Sequence, residues 1–268
     1  MTPAVSGLRG LWRRSMIAWP DGSRDTTTSV RWLQGLRACL DLRQSALPAD
    51  LARVRALHQL SIDQCTWLAQ QQGFAGQLSF DGSHFEWTRS IDFQPRAAGA
   101  DAGSLCWEGD VLVESGRDVA YIEHWHRDDG APTLPVAAAS LRDADDDTAA
   151  AMLRVGAQFM FARDRTLSAA AGRTLCQCIA QAATLQQAQR LVDCEISFGN
   201  ALPAGFLISA STLPWRIGDV LDPRLTSGQL DTMDRKADGV ARRRRWQIID
   251  SEGEPAGLAV ALRGSRES

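Results

Sequence analysis

The N-terminal stretch alternates apolar and polar side chains in the manner of consecutive β-strands. Residues 10–19 are followed by Pro-Asp-Gly at 20–22, which supplies a fixed φ, a local side-chain hydrogen bond and access to positive φ, as a hairpin turn requires. The next runs, 26–34 and 36–43, also alternate, and the first of them is rich in β-branched and aromatic residues. Successive side chains on a strand point to opposite faces. Alternate residues of 26–34 therefore share one face, and these are Thr26, Thr28, Val30, Trp32 and Gln34.

Helical spacing replaces this alternation over residues 50–72 and again over 174–192. Ser61 is followed three residues later by Gln64, the pattern of a capping box, so we predict a helix over 62–72. The polar region 218–239 is predicted to be a long loop. Strand patterns resume after each helical stretch, at 85–92, 105–114 and 119–126 and then at 153–163, 194–198, 206–211, 243–250 and 258–263.

The order strands, helix, strands therefore occurs twice along the chain. This order predicts a mainly β protein with a few helices, built as two related antiparallel barrel halves. We assign residues 7–142 to the first half, with its helix at 50–72, and residues 148–264 to the second, with its helix at 174–192. Pro132 and Pro135, together with the acidic run 143–147, are the predicted seam between them.

The opening of the first strand, Gly10-Leu11-Trp12, resembles the Gly-x-Trp motif of lipocalin-like, calycin-type barrels. The wider string with DTTT, WLQ and DLR is similar to bacterial proteins of unknown function with two lipocalin-like halves. The resemblance covers the first half, and the family's Thr-Asp motif between later strands is absent. It implies a barrel whose closed end is plugged by Trp12 beneath a basic residue, and whose open end binds a small molecule.

Composition excludes several classes of function. The net charge of -3 and the pI near 5.8 lack the basic footprint of a nucleic-acid-binding protein. Six cysteines are scattered through a chain too long to need disulfide staples, which favours the cytoplasm. No run approaches the length of a membrane span, and nucleotide and serine-hydrolase motifs are missing. We therefore expect no cofactor, no nucleic acid and no membrane partner, while a homodimer stays open.

The strand at 119–126 carries the most informative chemistry. Tyr121, Glu123 and Trp125 share one face. Inside a barrel, desolvation would raise the pKa of Glu123 and suit it to proton transfer. The alternative is a structural ion pair of Glu123 with an interior Arg89 or Arg13.

Two functions follow from this arrangement. The first is a binding protein for a small, partly apolar and acidic molecule, held by Trp32, Gln34, Trp87, Trp125 and Arg13 near Arg89. The second is a cofactor-independent lyase or isomerase with Glu123, Tyr121 and Arg89 as catalytic residues. A third alternative, an interaction scaffold, would be favoured by a barrel too filled for any ligand.

His124 and His126 have the spacing that places two imidazoles on one strand face, as in some metal sites. A metal would need a third ligand from His58, His84 or a carboxylate. The residues after the pair do not follow the pattern of the cupin family, so we predict solvated or rim histidines and no metal.

Overall fold

Two antiparallel sheets form the framework of the protein, and three short α-helices of the described residues lie beside them. The structure is a computed structural model that describes residues 1–96, 99–128, 135–170, 172–202 and 204–259. Within these ranges, no helix has the length and apolar character needed to cross a membrane. The predicted fold class is confirmed: the chain forms an eight-stranded antiparallel barrel and a second, curled half-barrel.

The first sheet closes on itself because β1 pairs with β9 as well as with β3. The strand order is β2-β1-β3-β4-β5-β6-β7-β8-β9, in which the two-residue β2 is an appendage to the eight-stranded barrel. The strands are β1 Gly10–Ala18, β2 Arg24–Asp25, β3 Ser29–Gln34, β4 Ala38–Gln44, β5 Gln72–Phe80, β6 Phe85–Asp92, β7 Ala102–Glu108, β8 Val111–Gly116 and β9 Ile122–Arg127.

The second sheet has eight strands in the order β14-β13-β12-β11-β10-β17-β16-β15 and stays open between β14 and β15. Its strands are β10 Val136–Asp143, β11 Ala149–Val155, β12 Gln158–Arg163, β13 Glu195–Leu202, β14 Gly205–Ser211, β15 Arg224–Thr226, β16 Gln229–Arg235 and β17 Ala241–Gly253. Leaving the appendage β2 aside, the two sheets have the same topology: the first strand pairs with the second and the last, and helices follow the third.

The helices are α1 Ile62–Leu68 in the first half, and α2 Leu175–Ala180 and α3 Leu185–Val192 in the second. The capping box is confirmed: the Ser61 hydroxyl accepts the backbone N–H of Gln64, whose side chain in turn accepts the N–H of Ser61. All three helices pack in one apolar core between the halves, together with Leu11, Leu33, Leu40, Leu42, Leu153, Met160 and Ile196.

Several predicted boundaries are wrong. Asp143 is the last residue of β10 and residues 144–148 connect β10 to β11, so the acidic part of the predicted seam lies within the second sheet. Pro135, another part of that seam, directly precedes β10, and Pro132 lies outside the described residues. The predicted loop at 218–239 contains β15 and β16. The long helix predicted at 50–72 consists of 3-10 turns and α1, and the one at 174–192 is divided into α2 and α3. Of the strand predicted at 258–263, residues 260–263 lie outside the described residues.

One end of the first barrel is closed by Trp12. A 3-10 turn at Val5–Leu8 precedes β1, and the Trp12 indole N–H donates to the Leu8 carbonyl at 2.7 Å. The Arg127 guanidinium carbon lies 4.7 Å from the centre of the Trp12 ring, a cation–π distance. A tryptophan plug beneath a basic side chain is the closed end that the lipocalin resemblance implied, and the two sheets are consistent with a lipocalin-like two-barrel fold.

Glu252, on β17, connects the halves. Its carboxylate accepts the backbone N–H groups of Leu36, Arg37 and Ala38 at 3.0, 2.9 and 3.0 Å, between β3 and β4 of the barrel. The side chain is only 8% exposed. Because charge-assisted hydrogen bonds are about twice as strong as neutral ones, this carboxylate fixes the second sheet against the closed end of the barrel.

Candidate functional site

Charged side chains gather inside the first barrel at the end opposite Trp12, which we call the mouth. They come from β1, β4, the second half of β6, the residue before β7, and the hairpin of β8 and β9. The members are Arg14, Asp41, Arg43, Arg89, Asp92, Asp101, Glu114, Tyr121 and Glu123. Their convergence makes the mouth the candidate functional site.

Glu123 lies inside the barrel as an ion-paired carboxylate. It is 1% exposed, and its Oε1 accepts the Arg14 Nη1 at 2.5 Å and lies 3.5 Å from Arg43 Nη1. Arg43 also donates from Nε to Asp41 Oδ1 at 2.8 Å. The structural alternative for Glu123, an ion pair with an interior arginine, therefore describes its surroundings, but the partners are Arg14 and Arg43 and not Arg89 or Arg13.

A second buried glutamate, Glu114, lies directly opposite Glu123 in the pairing of β8 with β9. The Tyr121 hydroxyl donates to Glu114 Oε1 at 2.7 Å, and the Trp125 indole N–H donates to Oε2 at 3.1 Å. Burial first, and then the charge of Glu123, raises the pKa of Glu114 to about 8. At neutral pH Glu114 is therefore protonated. The pKa of the neighbouring Tyr121 is also raised, chiefly because its hydroxyl is buried.

Arg89 shares the interior with two aspartates because β6 contains a bulge. Gly76 of β5 faces Arg89 and Ala75 faces Ile91, which leaves Ser90 without a partner. The extra residue reverses the alternation, so Asp92 comes round to the face of Arg89 and lies 3.0 Å from its Nη1. Arg89 also contacts Asp101 at 2.5 Å, and its guanidinium carbon lies 4.2 Å from the ring centre of Phe74.

The tryptophans predicted to hold a ligand fill the barrel instead. The ring centre of Trp32 lies 5.8 Å from that of Trp12, 6.0 Å from Trp87 and 5.5 Å from Trp125. Gln34 accepts the Trp32 indole N–H at 3.1 Å, toward the closed end. The cavity left among these rings and the mouth carboxylates measures about 10 Å³, which is the space of one water molecule. This cavity among the described residues therefore has no room for an organic ligand.

Outside the charged cluster, the lip of the mouth has a larger pocket of about 170 Å³. Arg43 lines both this lip pocket and the cavity below it. The other lining residues come from the ends of β1, β3, β4 and β5: Arg14, Ile17, Trp19, Asp25, Thr28, Ser45, Gln70 and Gln72. Trp19 is partly exposed there, so an aromatic face and two guanidinium groups border one space.

Arg13 lies on the outside of the barrel and not at the predicted ligand site. Its side chain is 47% exposed and pairs with Asp128 at 2.7 Å on the outside of the barrel. The inward position belongs to its neighbour Arg14, because Trp12 faces inward and alternation places Arg14 on the same side. Arg13 is therefore corrected from a candidate ligand-binding residue to a surface residue.

His124 and His126 lie on the outer face of β9, where His126 Nε2 is 2.9 Å from the Ser15 hydroxyl. Among the described residues, no three histidine, cysteine, aspartate or glutamate side chains converge as a metal site would require. The six cysteines are free thiols. The described part of the chain thus offers no group of ligands for a metal ion.

Comparisons with known proteins support the architecture alone. No family model and no curated protein sequence matches the chain. Among solved structures, it is similar to an uncharacterized protein, YLR301w, from Saccharomyces cerevisiae, with a TM-score of 0.52 and 12% sequence identity. The match covers 91% of this chain and 98% of the yeast protein, so the likeness extends over both halves.

Proposed function

We propose that the chain is a small-molecule-binding protein that takes a small organic acid at the mouth of its first barrel. The observation that carries this proposal is the lip pocket, where Arg14, Arg43 and Trp19 converge in a space of about 170 Å³. Ligand sites combine an apolar or aromatic wall with a few convergent polar groups. Sites for drug-sized ligands measure about 300–1,000 Å³, so this pocket suits a smaller molecule.

Arg43 is the residue that would hold the acid group. An arginine has five N–H donors arranged to match a carboxylate, and the carboxylates inside the mouth use only part of them. Its one short contact is from Nε to Asp41, whereas its Nη1 is 3.5 Å from Glu123. The amides of Gln70 and Gln72 supply further hydrogen-bonding groups at the opening.

The lipocalin-like family is part of the same proposal. It is supported by the closed eight-stranded barrel, by the 3-10 turn before β1 and by Trp12 beneath Arg127. The filled interior departs from a barrel that encloses its ligand, and for that reason the proposal places the ligand at the lip and not among Trp32, Trp87 and Trp125.

A panel of small carboxylic acids and their matched primary amides, titrated by calorimetry, tests the proposal. We expect saturable binding of an acid, no binding of its amide, and affinity about tenfold weaker in Arg43→Lys, because lysine keeps the charge but loses the planar fork. Arg13→Lys makes the same change on the outer face and should bind as the wild type does. Absence of binding across the panel, or an equal loss in both variants, would refute the lip site and favour the scaffold.

A second candidate, a proton-transferring lyase or isomerase, is favoured by the raised pKa of Glu114. Glu114 takes the role first assigned to Glu123, since Glu123 is held by Arg14. Substrate would reach Glu114 only if Arg43 or a tryptophan moved, because the cavity beside it has room for only one water molecule. Turnover of a bound acid that is lost in Glu114→Gln, with binding intact, would establish the enzyme; unchanged ligand in both proteins would establish the binding protein.

A further inference from the structure

The second half has a charged mouth of its own, at the end of the half-barrel that corresponds to the mouth of the first. Strand register establishes the correspondence: Arg14 lies opposite Trp125 in the pairing of β1 with β9, and Asp143 lies opposite Trp246 in the pairing of β10 with β17. Counting two residues back from each tryptophan matches Glu123 with Arg244. The buried ion pair of the first mouth therefore recurs in the second with its charges exchanged, Asp143 contacting Arg244.

A third position shows the same exchange. Asp41 lies opposite Trp32, which lies opposite Trp12, and the equivalent steps across the second sheet lead to Arg163. Arg163 is 4% exposed and donates from Nη2 to Asp193 at 2.7 Å. Two interior positions that hold carboxylates in the first mouth thus hold guanidinium groups in the second.

These residues border a pocket of about 160 Å³. Its lining has five cationic side chains and three carboxylates. Two further carboxylates lie behind the lining, where Asp143 contacts Arg244 and Asp219 contacts Arg235. The cationic residues are Arg163, Arg235, Lys236, Arg242 and Arg244, and the acidic ones are Asp146, Asp193 and Asp234.

The carboxylates of the pocket are already engaged, whereas several donors are not. Asp193 contacts Arg163, and Asp146 contacts Arg244 through both oxygens at 2.7 and 2.8 Å. In contrast, Lys236 has no ion pair among the described residues, and the 38% exposed Arg242 has one, with Asp234 at 3.3 Å. These two side chains therefore keep N–H donors free for a ligand that accepts hydrogen bonds.

We propose that this pocket binds a phosphate dianion, either free or as the phosphate group of a small ester. Lys236 and Arg242 offer two positive charges with free donors to the two negative charges of phosphate, and guanidinium groups suit phosphate oxygens because several N–H donors lie in one plane. Lys236, the only lysine of the chain and exposed at this rim, supplies a mobile ammonium group. The site is independent of the acid site on the first barrel.

Titration calorimetry of the full chain with inorganic phosphate at low ionic strength tests the proposal. We expect saturable binding that weakens about tenfold in Lys236→Gln and in Arg242→Gln. Both side chains reach solvent, so neither change empties the core. Arg245→Gln removes an equal charge from the neighbouring 63% exposed side chain, which lies on the other face of β17, and should leave the affinity within about twofold.

Thermal unfolding and circular dichroism of the three variants establish that each is folded before its affinity is compared. Phosphate that does not bind, or binds equally well in Lys236→Gln and Arg242→Gln, would overturn the proposal, as would an equal loss in Arg245→Gln. Glycerol phosphate identifies the source of the group: tighter binding than inorganic phosphate assigns the pocket to an ester, and equal binding assigns it to free phosphate. Arg43→Lys should not change phosphate binding, so failure of one site is distinguishable from failure of the other.

Discussion

Replacing Glu114 by glutamine tests the electrostatics of the first mouth directly. Glutamine has the shape of a protonated glutamic acid, and its amide can occupy the same two hydrogen-bonded positions. The carbonyl oxygen accepts the indole N–H of Trp125, and the amide N–H₂ donates to the Tyr121 oxygen, whose hydroxyl is free to rotate. Glu114→Gln therefore keeps the neutral form of the site and removes only its ability to ionise.

The magnitude follows from the raised pKa. Burial and the nearby charge of Glu123 raise the pKa of Glu114 from 4.5 to about 8, so the folded state binds this proton more tightly than the unfolded state. The stability from this group is fully present below pH 4.5 and is lost as the pH rises toward 8. At 1.36 kcal/mol per pH unit, the wild type should lose roughly 4 kcal/mol between pH 5 and pH 8 relative to Glu114→Gln.

Urea unfolding of both proteins at several pH values between 5 and 9 measures this difference. Glu108→Gln, at an exposed residue that ends the neighbouring strand β7, makes the same charge change and should show no comparable pH-dependent gain. A constant difference between the wild type and Glu114→Gln across the range would refute the reasoning. A difference that shrinks with rising pH would show that Glu114 is ionised at neutral pH and stabilised by Arg43.

Two further changes test other parts of the fold. Glu252→Gln should lower the free energy of unfolding by about 2–4 kcal/mol, because three backbone N–H groups lose a charged acceptor. Urea unfolding beside the exposed control Glu254→Gln measures this loss. Equal stabilities of the two variants would contradict the role of Glu252 in connecting the halves. Gly76→Ala should lower the free energy of unfolding, measured by heat or urea, by about 3 kcal/mol or more, because its Cβ would lie 1.9 Å from the Thr88 carbonyl oxygen at the bulge. The control Gly7→Ala has open space around it and should leave stability unchanged. A Gly76→Ala variant as stable as the wild type would argue against the bulge.

Hydrophobic alternation predicted the barrel strands well where the inward face is apolar and failed where it is polar. In β16 the inward residues are Leu230, Thr232 and Asp234. Thr232 accepts the indole N–H of Trp246 at 2.9 Å, and Asp234 lies among arginines. Polar groups that are satisfied inside a sheet leave no apolar period in the sequence, which explains why residues 218–239 were predicted to be a loop.

The candidate site needed information that a single strand does not carry. Glu114 becomes prominent only when β8 is paired with β9, which places it opposite Glu123. The predicted strands 105–114 and 119–126 would instead place Glu114 opposite Val119. Arg89 and Asp92 meet because of the bulge at Ser90, and a one-residue insertion reverses every later side chain. Because Trp12 was expected to face inward as the plug, strand alternation predicts that Arg14, and not Arg13, lies inside the barrel.

Packing explains why both proposed sites lie at the mouths. A ligand among Trp32, Trp87 and Trp125 would have to break the indole hydrogen bonds to Gln34 and Glu114, each worth about 1 kcal/mol. It would also separate aromatic pairs that contribute about 0.5–1.5 kcal/mol each. The rim pockets exist without such a change, because arginines and carboxylates there hold one another in place while some N–H donors stay unused. A buried ion pair is still formed when its cation and its anion exchange positions. Exchanging the charges between the halves therefore preserves the fold and changes which donors face the ligand.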